Sequence, residues 1–270
     1  MTVLIDAPRQ TKKTLKDFFK RRKETFTNLD WCKWGGWFDT DGDFYARPDL
    51  SVYASRLRLK DRQPIELFSK TFEVSLAYYE HMTKTPERSG ENWIVKSKKY
   101  LSTTFSGVLN GDKSKWFTKN VYPYLLNEEK KDYAVKLLGY RPQSKDIETW
   151  TQEEIINYLG SAIGGDGSVS LYQSTAKFPH IDMKLISSDS RYLSEVKYVI
   201  ENTFKIYLPL AERFIYHTAE GEKISYHLRF FGSRKNPENL PVFESLVKDN
   251  VMSLDRKKNR IQEFITLYAA

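Results

Sequence analysis

Two aspartates, Asp41 and Asp166, are the residues of this sequence that are best placed for chemistry. Each stands directly before a glycine at the end of an apolar segment, WGGWFDTDG at 34–42 and LGSAIGGDG at 159–167. If the segments are helices, each carboxylate lies at the negative end of a helix dipole, which favours cations. Two such carboxylates side by side would be stabilised by a divalent cation. Oxygen ligands without a histidine or cysteine cluster indicate Mg²⁺, with Mn²⁺ or Ca²⁺ as substitutes.

Both segments also carry small residues where a helix interior is expected. Gly35 and Gly36 lie in the first segment and 160–162, Gly-Ser-Ala, in the second. A glycine inside a helix costs about 1 kcal/mol relative to alanine, and close approach of another backbone can compensate for it. We therefore expect the two helices to pack against each other along these residues, which would bring Asp41 and Asp166 together. An Asp-Gly pair is also a common helix stop, but two copies, each followed by a basic hairpin, favour a paired-carboxylate site.

The patterns around the two segments repeat in the same order. Apolar periodicity predicts in each half a helix, two strands, a helix, two strands and a final helix. A capping box of Thr151 and Glu154 marks the start of the second segment's helix. The predicted fold class is α+β, with two pseudo-symmetric αββαββα halves whose curved antiparallel sheets pack through the two glycine-containing helices.

The domain organisation predicted from these patterns has three parts. A basic N-terminal stretch at 1–23, an arm or a short amphipathic helix, precedes a first half at 24–145 and a second half at 151–270. A linker is expected at about 139–150, where Gly139 and Pro142 interrupt the periodicity. Within the first half, a loop is predicted at 85–92, between strands at 78–82 and 98–105.

Composition narrows the class of protein. The chain has 43 Lys and Arg against 35 Asp and Glu, a net charge of +8, which favours a polyanionic partner without requiring one. Its single cysteine, Cys32, excludes an internal disulfide, and the sequence lacks the Cys/His spacing of a zinc site. We expect no membrane span and no secretory signal. The chain is therefore expected to be intracellular and not secreted.

The two segments resemble the paired signature helices of the LAGLIDADG homing endonucleases, in the single-chain form with two pseudo-symmetric halves. The terminal acid and glycine are kept in both copies, whereas Trp34 and Trp37 replace aliphatic residues and Gly164 stands where a first acidic residue often lies. The resemblance implies a monomer whose saddle-shaped sheets lie in the major grooves of double-stranded DNA of about two helical turns. It also implies a metal-dependent cut in both strands with short 3′ overhangs, intron homing, and a microbial cytoplasm, nucleoid or organelle as the compartment.

The same resemblance assigns roles to residues. Asp41 and Asp166 would be the catalytic metal-binding acids, and the carbonyls of Thr40 and Gly165 would add ligands, with Ca²⁺ binding without cleavage. Family members place basic or polar residues around the metals to polarise water and neutralise phosphate. The candidates for that role here are Lys130, Lys257, Lys60 and Ser188.

Contacts to DNA are expected from the open faces of the two sheets. Alternation along the predicted strands places polar side chains on one side, and such side chains can read the major groove. An ordinary solvated sheet face would show the same alternation. The expected base and phosphate contacts are Arg47, Arg56, Arg58, Ser170, Tyr172, His180, Lys184, Lys223, His227 and Arg229.

Two other functions fit part of the pattern. The same fold without cleavage would suit an RNA-splicing maturase or a DNA-binding regulator, but the aspartates at both segment ends argue against it. A metabolic enzyme could use paired carboxylates for general acid-base work. That reading leaves the basic strands without a purpose.

Overall fold

The computed structural model describes residues 2–4, 12–47, 52–89, 92–172, 179–210, 214–218, 221–235, 237–248 and 251–269. The first half consists of β1 (Thr2–Leu4), α1 (Lys12–Thr25), α2 (Asn28–Thr40), β2 (Gly42–Ala46), β3 (Tyr53–Leu59), α3 (Arg62–Phe72), β4 (Leu76–Ser89), β5 (Asn92–Asn110), α4 (Gly111–Val121) and α5 (Glu128–Leu138). The second half consists of α6 (Gln152–Asp166), β6 (Gly167–Tyr172), β7 (His180–Ser187), α7 (Ser190–Phe204), β8 (Phe214–Thr218), β9 (Gly221–Ser233), α8 (Leu240–Leu246) and α9 (Asp255–Ala269).

Each half contains one antiparallel sheet, as the α+β prediction requires. The strand orders are β1-β4-β5-β3-β2 and β6-β7-β9-β8. Gly42 pairs with Leu57 across β2 and β3, and Gly167 pairs with Leu185 across β6 and β7. The two hairpins that follow the motif helices therefore share one register, so residues of the two halves can be compared position by position.

The prediction of a loop at 85–92 is wrong. Strand β4 continues to Ser89 and β5 begins at Asn92, so most of the stretch is a long antiparallel ladder. The ladder shifts register between Thr85 and Glu87, where Pro86 lies. Among the described residues, strand β1 pairs with β4 only as far as Tyr79, so Pro86 has no described strand on that side, where its missing N–H is tolerated.

The N-terminal stretch includes both a strand and a helix. Strand β1 pairs with β4, and α1 buries Phe18 against Trp116 of α4, with ring centroids 5.7 Å apart. In the second half, strand β8 is described from Phe214 onwards, and Leu210 forms a single bridge to Leu228. Residues 211–213 lie outside the described part.

The core of each half lies between its sheet and its helices. In the first half, aromatic rings dominate: Phe38 and Phe117 lie 4.6 Å apart and Phe68 and Phe72 4.8 Å apart, centroid to centroid. Aromatic packing of this kind adds to the free energy of burial. The longest helices α6, α7 and α9 have 15 residues, and within the described ranges no helix is long and apolar enough to cross a membrane.

Candidate active site

Helices α2 and α6 meet along small residues that allow their backbones to touch. A Cβ atom added to Gly36 would collide with the carbonyl oxygen of Tyr158 and lie 3.0 Å from the amide nitrogen of Ala162. A Cβ added to Gly164 would lie 2.5 Å from the indole ring of Trp37. The sequence prediction of a small-residue seam is confirmed at these positions, because no side chain larger than hydrogen fits there.

Two other glycines of the segments lie against different elements. A Cβ on Gly35 would collide with the backbone of Tyr124, and one on Gly160 would lie 2.9 Å from Cγ1 of Val251. The expectation that every small residue lines the helix pair is therefore wrong. These two glycines let each motif helix pack closely on the chain that leads to the last helix of its own half.

The carboxylates of Asp41 and Asp166 share one electrostatic environment at the end of this seam. Burial and the negative charge of Asp166 raise the pKa of Asp41 to about 7. Burial also raises the pKa of Asp166, although its side chain still reaches solvent. At Gly165, a Cβ would collide with Oδ2 of Asp41 and with the Thr40 hydroxyl. The structure therefore brings the two helix ends into direct contact.

Two lysines predicted from the sequence lie at equivalent places beside the acids. The Nζ of Lys130 donates to the carbonyl oxygen of Gly42 at 2.6 Å, and the Nζ of Lys257 donates to that of Gly167 at 2.7 Å. Both ammonium groups lower the pKa of Asp41 and of Asp166. Each helix end thus has one positive charge opposite its acid.

Lys257 has the more enclosed position of the two lysines. Its Nζ also donates to the carbonyls of Ile163 and Gly164, at 2.6 and 2.7 Å, and only 3% of the residue is exposed. Burial lowers its pKa to about 8. A cation that binds the last carbonyls of α6 is favoured by the helix dipole as well as by hydrogen bonding.

The residues at the seam fit a divalent cation held by few protein ligands. Oδ2 of Asp41 is buried and accepts no hydrogen bond of good geometry among the described residues, although the nearby Thr40 hydroxyl lowers the pKa of Asp41. Within the described ranges, no three His, Cys, Asp or Glu side chains gather into a metal site. A cation here would therefore depend on Asp41, Asp166, backbone oxygens such as those of Thr40 and Gly165, and water, a donor set typical of Mg²⁺.

One functional candidate that the sequence reasoning missed is Asp39. Its carboxylate is 3% exposed and accepts the backbone N–H of Leu126 at 2.6 Å and the Tyr158 hydroxyl at 2.5 Å. Burial raises its pKa to about 7, against the effect of both hydrogen bonds. The only sequence signal was the contrast with Gly164, which occupies the same place in the second segment. Asp39 ties α2 to its own half and, through Tyr158, to α6.

The other two candidates for the catalytic surroundings, Lys60 and Ser188, are exposed. They occupy equivalent positions just after β3 and β7, and each precedes an aspartate, Asp61 or Asp189, at the N-cap position of the next helix. The charges that shift the pKa of Asp41 and Asp166 do not include Lys60. The catalytic role of Lys60 and Ser188 stays a prediction.

The open face of the first sheet holds the arginines predicted to contact DNA. Arg56 binds Asp43 directly across the β2–β3 ladder, with its Nε 3.0 Å and its Nη2 2.6 Å from Oδ2. Arg58 lies two residues further along the same face and is partly exposed, and Arg47 is exposed after β2.

The open face of the second sheet combines charge with aromatic rings. Asp182 lies 3.2 Å from the Lys184 ammonium and 3.1 Å from Nη2 of Arg229. Tyr172 stacks on His180 with ring centroids 4.8 Å apart. The remaining predicted contacts are Ser170, which is partly exposed, His227, whose Nε2 lies 3.2 Å from Oγ of Ser225, and Lys223, whose side chain lies outside the described residues.

No protein-family model and no curated protein matches the chain. Solved structures similar to it include the homing endonuclease I-WcaI bound to its DNA recognition sequence, at 13% identity and a TM-score of 0.49, covering 94% of each chain. The LAGLIDADG meganuclease I-AabMI bound to uncleaved DNA is 13% identical, with a TM-score of 0.48, over 88% of this chain and 90% of the other. The I-SmaMI LAGLIDADG homing endonuclease bound to cleaved DNA is 12% identical, with a TM-score of 0.46, over 90% and 88%. The chain is similar to these proteins in fold.

Proposed function

We propose that the protein is a site-specific homing endonuclease that cuts both strands of a long DNA site with a divalent cation and leaves short 3′ overhangs. One observation carries the proposal. Two glycine-packed helices from the two halves end in Asp41 and Asp166, where burial raises the pKa of both carboxyls and the charge of Asp166 raises that of Asp41 further. An arrangement that costs free energy without a ligand favours a bound cation.

The residues around the seam would have different roles in metal binding and cleavage. Asp41 and Asp166, with the carbonyls of Thr40 and Gly165, would hold Mg²⁺, for which Mn²⁺ substitutes and Ca²⁺ supports binding alone. A bound cation supplies Lewis-acid stabilisation of the leaving 3′ oxygen and lowers the pKa of water. Lys130 places positive charge next to the acids, where a phosphate would approach. Each half would act on one strand.

Binding would use the two sheets, in a monomer with an internal pseudo-two-fold axis. The ion pairs and half-exposed arginines on both open faces supply donors for bases and phosphates of a duplex of about two helical turns. Because the net charge is +8, we expect the affinity to fall steeply as salt rises, with a slope near the number of phosphates neutralised. An affinity that does not change with salt would contradict DNA as the ligand.

The test is cleavage of a duplex library in Mg²⁺, followed by sequencing of the cut ends. Cut ends at one site, lost in Asp41→Asn and in Asp166→Asn while binding persists in Ca²⁺, would support the proposal. Asp112→Asn, which changes an exposed aspartate in α4, is the matched control and should cleave normally. Cleavage retained in both seam variants would falsify the assignment, and tight binding without cleavage by the wild type would favour the maturase or regulator.

A further inference from the structure

A carboxylate lies on the face of the first sheet that is proposed to meet DNA. Asp43 is the second residue of β2, and its neighbour Phe44 points to the core, so Asp43 points to the open side with Arg56 opposite. A negative charge facing a polyanion weakens binding through repulsion. A carboxylate at this position is therefore expected to make another contribution that compensates for its repulsion of DNA.

The geometry of the pair supplies such a gain. Asp43 Oδ2 takes the Nε and Nη2 hydrogens that form the side edge of the Arg56 guanidinium, at 3.0 and 2.6 Å. Arginine has five N–H donors in a rigid fork. With the side edge bound, the end edge formed by the two terminal nitrogens keeps a fixed direction. That edge matches the O6 and N7 acceptors of guanine in the major groove.

The charges of the pair also favour a base over a phosphate. The ion pair is half-exposed, with 37% of the Arg56 side chain and 43% of the Asp43 side chain accessible. An arginine neutralised by an adjacent carboxylate attracts phosphate less, yet its directed hydrogen bonds remain. Arg58, two residues along the same strand, is the natural comparison, because no ion pair holds it within the described part of the chain.

The second half lacks this pair at the equivalent place. The shared register aligns Asp43 with Ser168 and Arg56 with Lys184, which face each other across β6 and β7. Lysine is a compact charge that cannot form a planar fork. Asp182, which lies 3.2 Å from the Lys184 ammonium, also binds Arg229 from the neighbouring strand. The two halves therefore present different donors at symmetry-related positions.

We infer that Arg56 reads a guanine in the half-site bound by the first sheet, that Asp43 is its positioning residue, and that the target is not palindromic at this position. The inference rests on the proposed function, since it requires that the protein binds DNA. A fixed arginine fork gives an expected preference of about ten-fold or more for guanine over the other bases.

The experiment is selection of randomised duplexes in Ca²⁺, with sequencing of the bound fraction and a separate measurement of affinity for random duplex. The wild type should select one guanine that Arg56→Ala no longer selects. Arg56→Lys keeps the charge, so it should keep the general affinity and lose the preference. Asp43→Ala should weaken the preference while its affinity for random duplex stays equal or rises, because a negative charge has been removed. Arg58→Ala should lower the affinity for all sequences alike.

The outcomes separate this inference from the proposed function. If the wild type selects a sequence and Arg56→Ala and Asp43→Ala select the same bases, the inference is overturned while DNA recognition stands. If the wild type selects no sequence and binds no duplex, the proposed function fails. A purely structural ion pair would lower the melting temperature in Asp43→Ala without changing the base preference, which would also overturn the inference.

Discussion

The C-terminal ends of α2 and α6 each carry an aspartate with a lysine beside it, but different contacts hold the two ends in place. Two residues before its catalytic candidate, α2 has Asp39, whose carboxylate binds Leu126 and Tyr158, whereas α6 has Gly164. The glycine makes room for the Trp37 ring of α2. One end is thus fixed by buried hydrogen bonds and the other by close packing, so a symmetric site does not require symmetric supports.

The largest change in stability is expected from a substitution that makes the C-terminal end of α6 like that of α2. Gly164→Asp would restore an acid to the second segment, but its Cβ would lie 2.5 Å from the buried Trp37 ring. Overpacking and burial of a carboxylate without a donor should lower the free energy of unfolding by about 4 kcal/mol. Urea unfolding measures the loss, and Gln152→Ala at the exposed start of α6 should change stability by less than about 0.5 kcal/mol. A Gly164→Asp protein as stable as the wild type would mean that the seam is looser than described.

Removing the acid of the first half tests its support directly. Asp39→Ala leaves the Leu126 N–H buried without an acceptor, and it leaves the Tyr158 hydroxyl with only the Tyr192 oxygen, 3.2 Å away. One unsatisfied donor and one weakened hydrogen bond should cost about 2 kcal/mol of unfolding free energy. Asp39→Asn keeps one carbonyl oxygen and should cost less. Thermal melting of the two variants would reveal the order, and equal stability of Asp39→Ala and wild type would contradict the anchoring role.

Replacing Lys257 and replacing Lys130 should differ more in their effect on the stability of the protein than in their effect on cleavage. Lys257→Met removes an ammonium from three carbonyls at 2.6–2.7 Å, whereas Lys130→Met removes one bond to Gly42. We expect losses of about 2 and about 1 kcal/mol respectively, with reduced cleavage in both. Unfolding and cleavage measured on the same preparations separate the two effects. Equal destabilisation would show that the additional carbonyls at α6 contribute nothing.

The smallest change in stability is expected from substitutions at the N-terminal ends of α2 and α6. Asp30 accepts the Thr27 N–H at 2.9 Å in α2, whereas Glu154 in α6 accepts the Thr151 N–H at 2.8 Å and the Lys145 ammonium at 2.5 Å. Burial opposes ionisation of Glu154, but these donors outweigh it and lower its pKa. Its ionised form therefore stabilises the fold above the unfolded pKa of about 4.3, and this contribution is lost as the pH falls through the lower folded pKa.

Glu154→Gln is the variant that isolates this contribution. It should lose about 1 kcal/mol of stability at pH 7, and the difference from wild type should disappear at a pH below the native pKa of Glu154. Unfolding curves recorded across this range measure it. A difference that stays constant with pH would assign the effect to packing instead of charge.

The sequence was informative where the signal is local. The Asp-Gly ends of two small-residue helices predicted Asp41 and Asp166, and the resemblance to the LAGLIDADG family pointed to Lys130 and Lys257 at the start of each half's last helix. Partners distant along the chain left no such signal: Asp39 binds residues 87 and 119 positions away. Strand alternation gave the face of Arg56 but not its pairing with Asp43, because pairing depends on register. The loop predicted around Pro86 was wrong, since a proline need not end a strand that has no described partner on one side.

Cation binding at the seam tests the central claim most directly. Mn²⁺ affinity can be measured by electron paramagnetic resonance for the wild type, Asp41→Asn, Asp166→Asn and the control Asp112→Asn. If the two aspartates share a cation, either seam variant should bind Mn²⁺ at least about ten-fold more weakly, the minimum loss typical of outer-shell substitutions, while the control binds like wild type. Equal Mn²⁺ affinity in all four proteins would contradict a shared cation at the ends of α2 and α6.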